Sequence, residues 1–124
     1  MSKFNKDSSN EFYGEHIGKD FFPTLQGFIT SDVCIGMELV KVNGIQGWRN
    51  FIGPTNTQKA KEEKPNSIRA IFGTDGTKNA VHGSDSIQSA QRECGIFFGG
   101  DSDSRVMKTT AVLNNCSLCI IKPH

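Results

Sequence analysis

Residues 79–93, NAVHGSDSIQSAQRE, place one histidine between a short apolar run and a predicted helix start. His82 would end a strand, and Gly83 after it would let a ligand or another backbone segment approach closely. Asp85 can cap the following helix, and Glu93 lies eight residues further on, about two turns, where its carboxylate could reach back to the sheet. The predicted buried stripe of this helix is Ile87, Ala90, Cys94 and Phe97. A carboxylate or hydroxyl there could bind one imidazole nitrogen and leave the other free as a nucleophile, although a lone His-Gly pair is also common at structural positions.

Helix and strand signals alternate upstream of this stretch, which predicts an α+β fold rather than a bundle or a sandwich. Ser8 and Glu11 fit a capping box, and Asp20 can cap a second short helix in which Pro23 is tolerated in the first turn. The next run alternates as a strand packed on one side should, with an apolar row of Val33, Ile35, Met37 and Leu39.

Polar segments divide the rest of the chain. Residues 53–65 are rich in breakers and carry charges of both signs, which predicts a solvated loop. From Gly99 the composition is that of a linker, and the chain ends with a short apolar, strand-like run, NNCSLCIIKPH. We therefore predict a first domain at 1–98, a linker at 99–114 and a strand of a second unit at 115–124.

Composition narrows the function classes. With 124 residues and a formal net charge of +1, the chain can make one small domain, and no strong charge points to nucleic acid or a membrane surface. The start lacks the apolar core of a secretory signal, so we predict an intracellular, cytoplasmic protein. Cys116 and Cys119 form a C-x-x-C without the partners of a zinc site, so we predict no bound metal there.

The stretch around His82 resembles the signature of the nucleoside diphosphate kinases, which is Asn, two small or apolar residues, His, Gly, Ser, Asp, Ser, and then a helix carrying Ala and Glu. The likeness continues upstream in the family's order through EFYGEH, FFPTL, RNFIGPTN and SIRAIFG, and covers roughly residues 8–98. It is closest to the first kinase domain of two-domain members, in which a linker leads to a second domain that opens with a Cys-rich strand and Lys-Pro-His.

This resemblance implies a role for each matching residue. His82 is the phosphate-accepting nucleophile, Ser84 and Glu93 orient its imidazole, and Tyr13 lines the site. The nucleotide is bound by Phe22, which stacks on the base, by Asn79 at the sugar, and by Arg49, Thr55 and Arg69 at the phosphates. Two guanidinium groups can fork onto phosphate oxygens, and an aromatic face accepts any base. Transfer through histidine implies ping-pong turnover.

The resemblance also implies that part of the fold is missing. The family's sheet is ferredoxin-like, and its first, central strand ends in a catalytic Lys-Pro. This chain begins after that strand, the next helix and the second strand, so we expect a partial fold followed by a linker and one strand of a second domain, whose phosphate lysine is Lys122. Three readings stay open, in order of preference. The chain is a piece of a longer polypeptide; it is a truncated protein held by its partners; or CSLCIIKP folds back into the vacant central position, with Lys122 replacing the missing lysine.

Two functions are implied. Proteins that resemble the two-domain members are associated with centrosomal complexes and with the lumen of ciliary doublet microtubules, which predicts a structural protein of the axoneme or centrosome with tubulin among its partners. The alternative is an active kinase that moves the terminal phosphate of a nucleoside triphosphate to a diphosphate, with Mg²⁺ and ATP as cofactors. Because the lysine of the first domain is missing, we expect this chain alone to be inactive. We expect neither nucleic acid nor a membrane as a partner.

Overall fold

The computed structural model describes residues 2–99 and 116–122. The first half of the chain contains β1 (Ser2–Lys3), α1 (Lys6–Phe12), a 3-10 turn (Gly14–His16), α2 (Phe22–Ile29) and β2 (Val33–Val40). The second half contains α3 (Gly44–Ile52), α4 (Thr57–Glu63), α5 (Ile68–Phe72), β3 (Val81–Gly83), α6 (Ile87–Phe98) and β4 (Cys116–Ile121). Helices packed around an antiparallel sheet make this an α+β fold, as predicted.

The sheet has the order β1-β2-β4-β3, and every neighbouring pair is antiparallel. β4, the last strand in the chain, therefore lies at a central position, with Met37 of β2 on one side and Gly83 of β3 on the other both opposite Cys119. This is the reading that sequence alone favours least, in which CSLCIIKP folds back into the vacant position. The N-terminal edge also differs from expectation, because Ser2–Lys3 pair with β2 where no strand was predicted. The division into domains stays a prediction.

Opposite faces of the sheet carry different helices. Side chains alternate between faces along a strand, so the neighbours His82 and Gly83 point in opposite directions. The His82 ring contacts Phe12 of α1 edge to face, with ring centroids 5.2 Å apart. On the other face, α3 lies so close to Gly83 that an added Cβ would meet the indole of Trp48 at 2.5 Å. Only glycine fits this position, and α3 is thereby seated directly against β3.

The apolar row of β2 does not face the main core. Val33 is 48% exposed and Ile35 is 38% exposed, whereas Cys34 between them is fully buried. The covered face is the opposite one, where an added Cβ on Gly36 would collide with the ring of Phe97 from α6. The prediction that the row Val33, Ile35, Met37 and Leu39 is the packed one was therefore wrong at its start. Alternation correctly marks a strand, but which face is covered depends on where the helices lie.

Two helix starts and one loop also differ from the sequence prediction. The capping box of α1 joins Asn5 and Ser8 rather than Ser8 and Glu11: the Ser8 amide donates to Asn5 Oδ1 at 2.8 Å, and the Asn5 amide donates to Ser8 Oγ at 2.9 Å. Helix α6 is capped by Ser86, one residue after the predicted cap. Residues predicted as a solvated loop contain α4, which begins where the Asn56 side chain accepts from the Lys59 amide.

The main core lies between the sheet and helices α1, α2 and α6. It contains Phe4, Phe12, Tyr13, Phe22, Leu25, Ile29, Cys34 and Ile120. Ile120 belongs to β4 and is fully buried, so the C-terminal strand contributes directly to this core. Among the described residues, no helix is long and apolar enough to cross a bilayer.

Candidate active site

His82 is presented by a short strand that follows a constrained loop. Ala80, two residues earlier, has φ of 67°, a left-handed conformation that side chains other than glycine rarely adopt. The Ala80 carbonyl accepts a hydrogen bond from the Lys122 amide at 2.8 Å, and the Trp48 Nε1–H donates to the His82 carbonyl at 3.2 Å. The backbone of this stretch is therefore fixed on both sides.

Glu93 contacts the imidazole of His82. Its Oε2 lies 2.9 Å from His82 Nε2 and accepts a second hydrogen bond from Ser84 Oγ at 2.6 Å. Because a carboxylate only accepts, the neutral imidazole carries its proton on Nε2, and Nδ1 is left with a free lone pair. Glu93 is 3% exposed and lies in the middle of α6, so its carboxylate is shielded from water, whereas the His82 side chain is partly exposed. The structure thus brings Ser84, Glu93 and His82 together, and their orienting roles stay a prediction.

Two arginines face the same site in different ways. Arg69 is 6% exposed and donates to three oxygens: Nη1 to the Gly53 carbonyl at 2.9 Å, Nη2 to the Val81 carbonyl at 3.0 Å and Nη1 to Thr55 Oγ1 at 3.3 Å. Burial, and then the nearby Arg49, lower the pKa of Arg69 to about 10. Arg49 is exposed on α3 and donates to the Gly83 carbonyl at 3.2 Å.

Lys122 enters the site from the end of β4. Its Nζ donates to Asn79 Oδ1 at 2.9 Å and to the Thr77 carbonyl at 3.2 Å. The Asn79 amide in turn donates to the Gly76 carbonyl at 3.1 Å. Lys122 is 6% exposed, and burial, followed by the charge of Arg69, lowers its pKa to about 8. The lysine predicted for a second domain thus lies beside the residues of the first.

Tyr13 closes the site from the side of α1. Its ring lies edge to face with His82, with centroids 6.0 Å apart, and it stacks on His16 at 5.8 Å. Tyr13 is 5% exposed, and its hydroxyl has no hydrogen-bond partner among the described residues. Burial, and then the Glu93 carboxylate, raise the pKa of Tyr13, so the phenol stays neutral and can donate. A buried hydroxyl without an acceptor is a position that favours a ligand oxygen.

These side chains border one cavity of about 340 Å³. Eight of the residues expected from the resemblance line it: Tyr13, Arg49, Thr55, Arg69, Asn79, His82, Glu93 and Lys122. Phe22 does not, because it is 8% exposed in the main core. Phe21, 48% exposed, lines the cavity instead and meets His16 edge to face at 5.4 Å. The sequence contains the signal for this difference, since Phe22, Leu25 and Ile29 recur at helical spacing and form the buried stripe of α2.

Sequence reasoning also missed other lining residues. His16 and Asp85 both face the cavity. The Asp85 carboxylate accepts from Ser89 Oγ at 2.7 Å, and this hydrogen bond is the main cause that lowers the pKa of Asp85. No group of three or more His, Cys, Asp or Glu side chains converges within residues 2–99 and 116–122. A divalent cation would therefore be bound chiefly by the oxygens of a ligand, as Mg²⁺ commonly is with phosphates.

Comparison with known proteins supports one family. A family model described as nucleoside diphosphate kinase matches residues 1–102. The chain is 41% identical over 127 residues to nucleoside diphosphate kinase homolog 7 of Rattus norvegicus, an alignment that covers all of this chain and 31% of the rat protein. It is also 45% identical over 98 residues to the probable nucleoside diphosphate kinase 5 of Arabidopsis thaliana, covering 79% of this chain and 68% of that one.

A solved structure agrees with these sequence matches. The nucleoside diphosphate kinase of Aquifex aeolicus superposes with a TM-score of 0.70 at 37% identity and covers 80% of this chain and 70% of that one. The alignment with the rat protein covers this chain from end to end, but the chain spans only about a third of the length of that relative. With the family model covering most of its length and a partial ferredoxin-like α+β fold, the chain belongs to the nucleoside diphosphate kinase family.

Proposed function

We propose that the chain transfers the terminal phosphate of a nucleoside triphosphate to a nucleoside diphosphate through phosphohistidine at His82. One observation carries the proposal. His82 Nε2 is held 2.9 Å from Glu93, and the ring lines a cavity that it shares with the cationic side chains of Arg69 and Lys122. A nucleophilic nitrogen beside groups that neutralise phosphate charge is the arrangement that phosphoryl transfer needs.

The proposed transfer has two steps, one onto His82 and one from it. The Nδ1 lone pair of His82 attacks the γ-phosphorus, the P–O bond to the β-phosphate breaks, and a nucleoside diphosphate leaves. A terminal phosphate oxygen of a second diphosphate then attacks the phosphorus, the P–N bond breaks, and the imidazole returns to its starting form. Glu93 holds the Nε2 proton throughout and stabilises the positive charge that develops on the ring.

The cations and the phenol have complementary roles. Arg49, Arg69 and Lys122 neutralise the phosphate oxygens, and the Tyr13 hydroxyl donates to one of them. Phe21 replaces Phe22 as the platform for the base, because its ring is the one open to the cavity. Mg²⁺ would come with the nucleotide and would neutralise phosphate charge; Glu15 and Asp85 are the carboxylates that line the cavity and are not bonded to His82.

The test is direct detection of the phosphorylated enzyme. The purified chain is incubated with γ-labelled ATP and Mg²⁺, and acid-labile label on the protein is counted before and after addition of a nucleoside diphosphate. We expect stable label that moves to the diphosphate, and none in His82→Ala. His16→Ala is the matched control, because the carboxylate of Glu15 lies 4.0 Å from this second cavity histidine, beyond hydrogen-bond distance. Absence of label in the parent chain, or label that persists in His82→Ala, would refute the proposal.

A structural role in the axoneme or centrosome is the second candidate. Its support is the row of apolar side chains that β2 exposes at Val33 and Ile35, a surface that fits a protein contact. Ile35→Lys should then abolish co-sedimentation with polymerised tubulin, while Glu38→Lys, on the other face of the same strand, and His82→Ala should not. If Ile35→Lys binds microtubules as well as the parent does, this candidate fails.

A further inference from the structure

β4 lies between β2 and β3, which do not pair with each other. β2 pairs with β4 from Ile35 to Val40, and β3 pairs with β4 from Val81 to Gly83. Within the part of the chain that the structure describes, β3 has no other strand partner. The strand that carries His82 therefore depends for its hydrogen-bonded ladder on the last strand of the chain, which the sequence joins to α6 through residues 99–115.

Three contacts tie the end of β4 to the loop before His82. The Lys122 amide donates to the Ala80 carbonyl at 2.8 Å. The Lys122 ammonium donates to the Asn79 side chain at 2.9 Å and to the Thr77 carbonyl at 3.2 Å. Seating of β4 thus fixes the loop that sets the conformation of Ala80 and the position of the histidine.

The charge around Lys122 opposes this seating. Its ammonium is buried beside Arg69, and Arg49 faces the same cavity. None of these three cations forms an ion pair within the described residues. The Asp75 carboxylate favours the charged form of Lys122, but less than Arg69 opposes it. A buried cation beside like charges is costly unless an anion compensates it. The lowered pKa of Lys122, about 8, has the same origin.

We propose that β4 is a docking strand whose insertion between β2 and β3 is coupled to polyphosphate binding, with Lys122 as the link. The inference rests on the proposed function, because it assumes that a polyphosphate binds beside His82. An anion in the cavity compensates the charge that β4 brings in, and so favours the docked strand. By reciprocity, a docked strand raises the affinity for the anion. The chain therefore completes its own site only as it binds its substrate.

The docked strand can be trapped through its register. Met37 lies opposite Cys119, and directly paired residues of antiparallel strands have Cα atoms within the range that a disulfide spans. Met37→Cys in the full chain is oxidised gently, and the linked peptides are identified by mass spectrometry before and after reduction. We expect a link from position 37 to Cys119 within one chain. Glu38→Cys, one residue along and on the opposite face, should give no link to Cys119.

The same protein then reports the coupling. Inorganic tripolyphosphate is titrated into the oxidised and the reduced forms of Met37→Cys. Locking the strand removes the docking equilibrium, so we expect the oxidised form to bind several-fold more tightly. With Lys122→Gln added, the two forms should bind equally. Tripolyphosphate is used because it carries the phosphate charge without a base or sugar.

Each other outcome counts against the proposal. No link between position 37 and Cys119, or a link only between chains, would show that β4 does not dock in its own sheet. Equal affinity of the oxidised and reduced forms, or a gain that survives Lys122→Gln, would show that docking and binding are not coupled through this lysine. If the link and the gain persist in Met37→Cys while labelled ATP gives no phosphohistidine in the parent chain, the kinase function fails and the coupling stands.

Discussion

The two sides of the His82 cavity are stabilised in opposite ways. On the imidazole side, Glu93 is bonded to His82 and Ser84 at 2.9 and 2.6 Å, so the charge of the carboxylate is compensated within the protein. On the cationic side, Arg69 and Lys122 are each 6% exposed, and their hydrogen bonds go to uncharged oxygens. With β4 docked, the imidazole therefore has its charged partner within the protein, whereas the two buried cations have none and could take an anion from a ligand.

Substitution of Glu93, the partner of the imidazole, should have the largest effect on phosphorylation. Glu93→Gln can present an amide N–H to Nε2, which would favour the tautomer with its proton on Nδ1 and block attack. We expect the rate of histidine phosphorylation to fall by about 10² to 10⁴ with nucleotide affinity nearly unchanged. Single-turnover labelling with ATP over a range of concentrations separates the two quantities. A fall in affinity without a fall in rate would contradict the role assigned to Glu93.

Substitutions of the two buried cations should affect stability and ligand binding differently. Arg69→Met leaves the Gly53 and Val81 carbonyls without their donor, so we expect the free energy of unfolding to fall by about 2–4 kcal/mol. Lys122→Met removes a buried charge together with its bonds, so its main effect should be on affinity for tripolyphosphate, at least about tenfold weaker. Urea unfolding measures the free energy of unfolding of each variant, and calorimetric titration measures its affinity for tripolyphosphate. The contrast is wrong if Lys122→Met destabilises the protein as much as Arg69→Met does.

Phe21 and Phe22 are neighbours in different surroundings, because Phe21 lines the cavity and Phe22 lies in the main core. Phe21→Ala should leave stability nearly unchanged and raise the apparent Kd for a nucleoside diphosphate by about fivefold or more, because base stacking is worth about 1–3 kcal/mol. Phe22→Ala should do the reverse and lower the free energy of unfolding by about 3–5 kcal/mol, because it empties a core position. Binding of tripolyphosphate, which has no base, should be the same in Phe21→Ala and in the parent. If Phe22→Ala weakens binding of the nucleoside diphosphate and Phe21→Ala does not, then Phe22 stacks on the base, as the family resemblance implies.

The pH dependence should be the smallest effect. The pKa of Lys122 is about 8 in the folded chain and near its ordinary 10.5 when unfolded. Between these values the unfolded lysine binds more protons than the folded one, so the contribution of Lys122 to the free energy of unfolding of the ligand-free protein should rise with pH over this window. Tripolyphosphate favours the charged lysine, so its affinity should fall as pH rises through about 8. Lys122→Arg keeps its charge and should lose both trends; if it retains them, another group is responsible.

The sequence predicted best what lies close together along the chain. Glu93 follows His82 by eleven residues, and two turns of helix return its carboxylate to the strand, so their pairing follows from local geometry. The assignment of Phe22 rather than Phe21 turned on a one-residue choice of helical register, which the spacing of Leu25 and Ile29 could have settled. The covered face of β2 and the central position of β4 depend on contacts between distant segments. No local pattern contains that information.

The central claim is that His82 carries the phosphate on the nitrogen that Glu93 leaves unprotonated. The most direct measurement is phosphorus NMR of the chain after reaction with ATP and Mg²⁺, because the two phosphohistidine isomers have distinct signals. The account predicts phosphorus on Nδ1 of His82, and its disappearance when a nucleoside diphosphate is added. Phosphorus on Nε2, on another residue, or nowhere in the protein would contradict it.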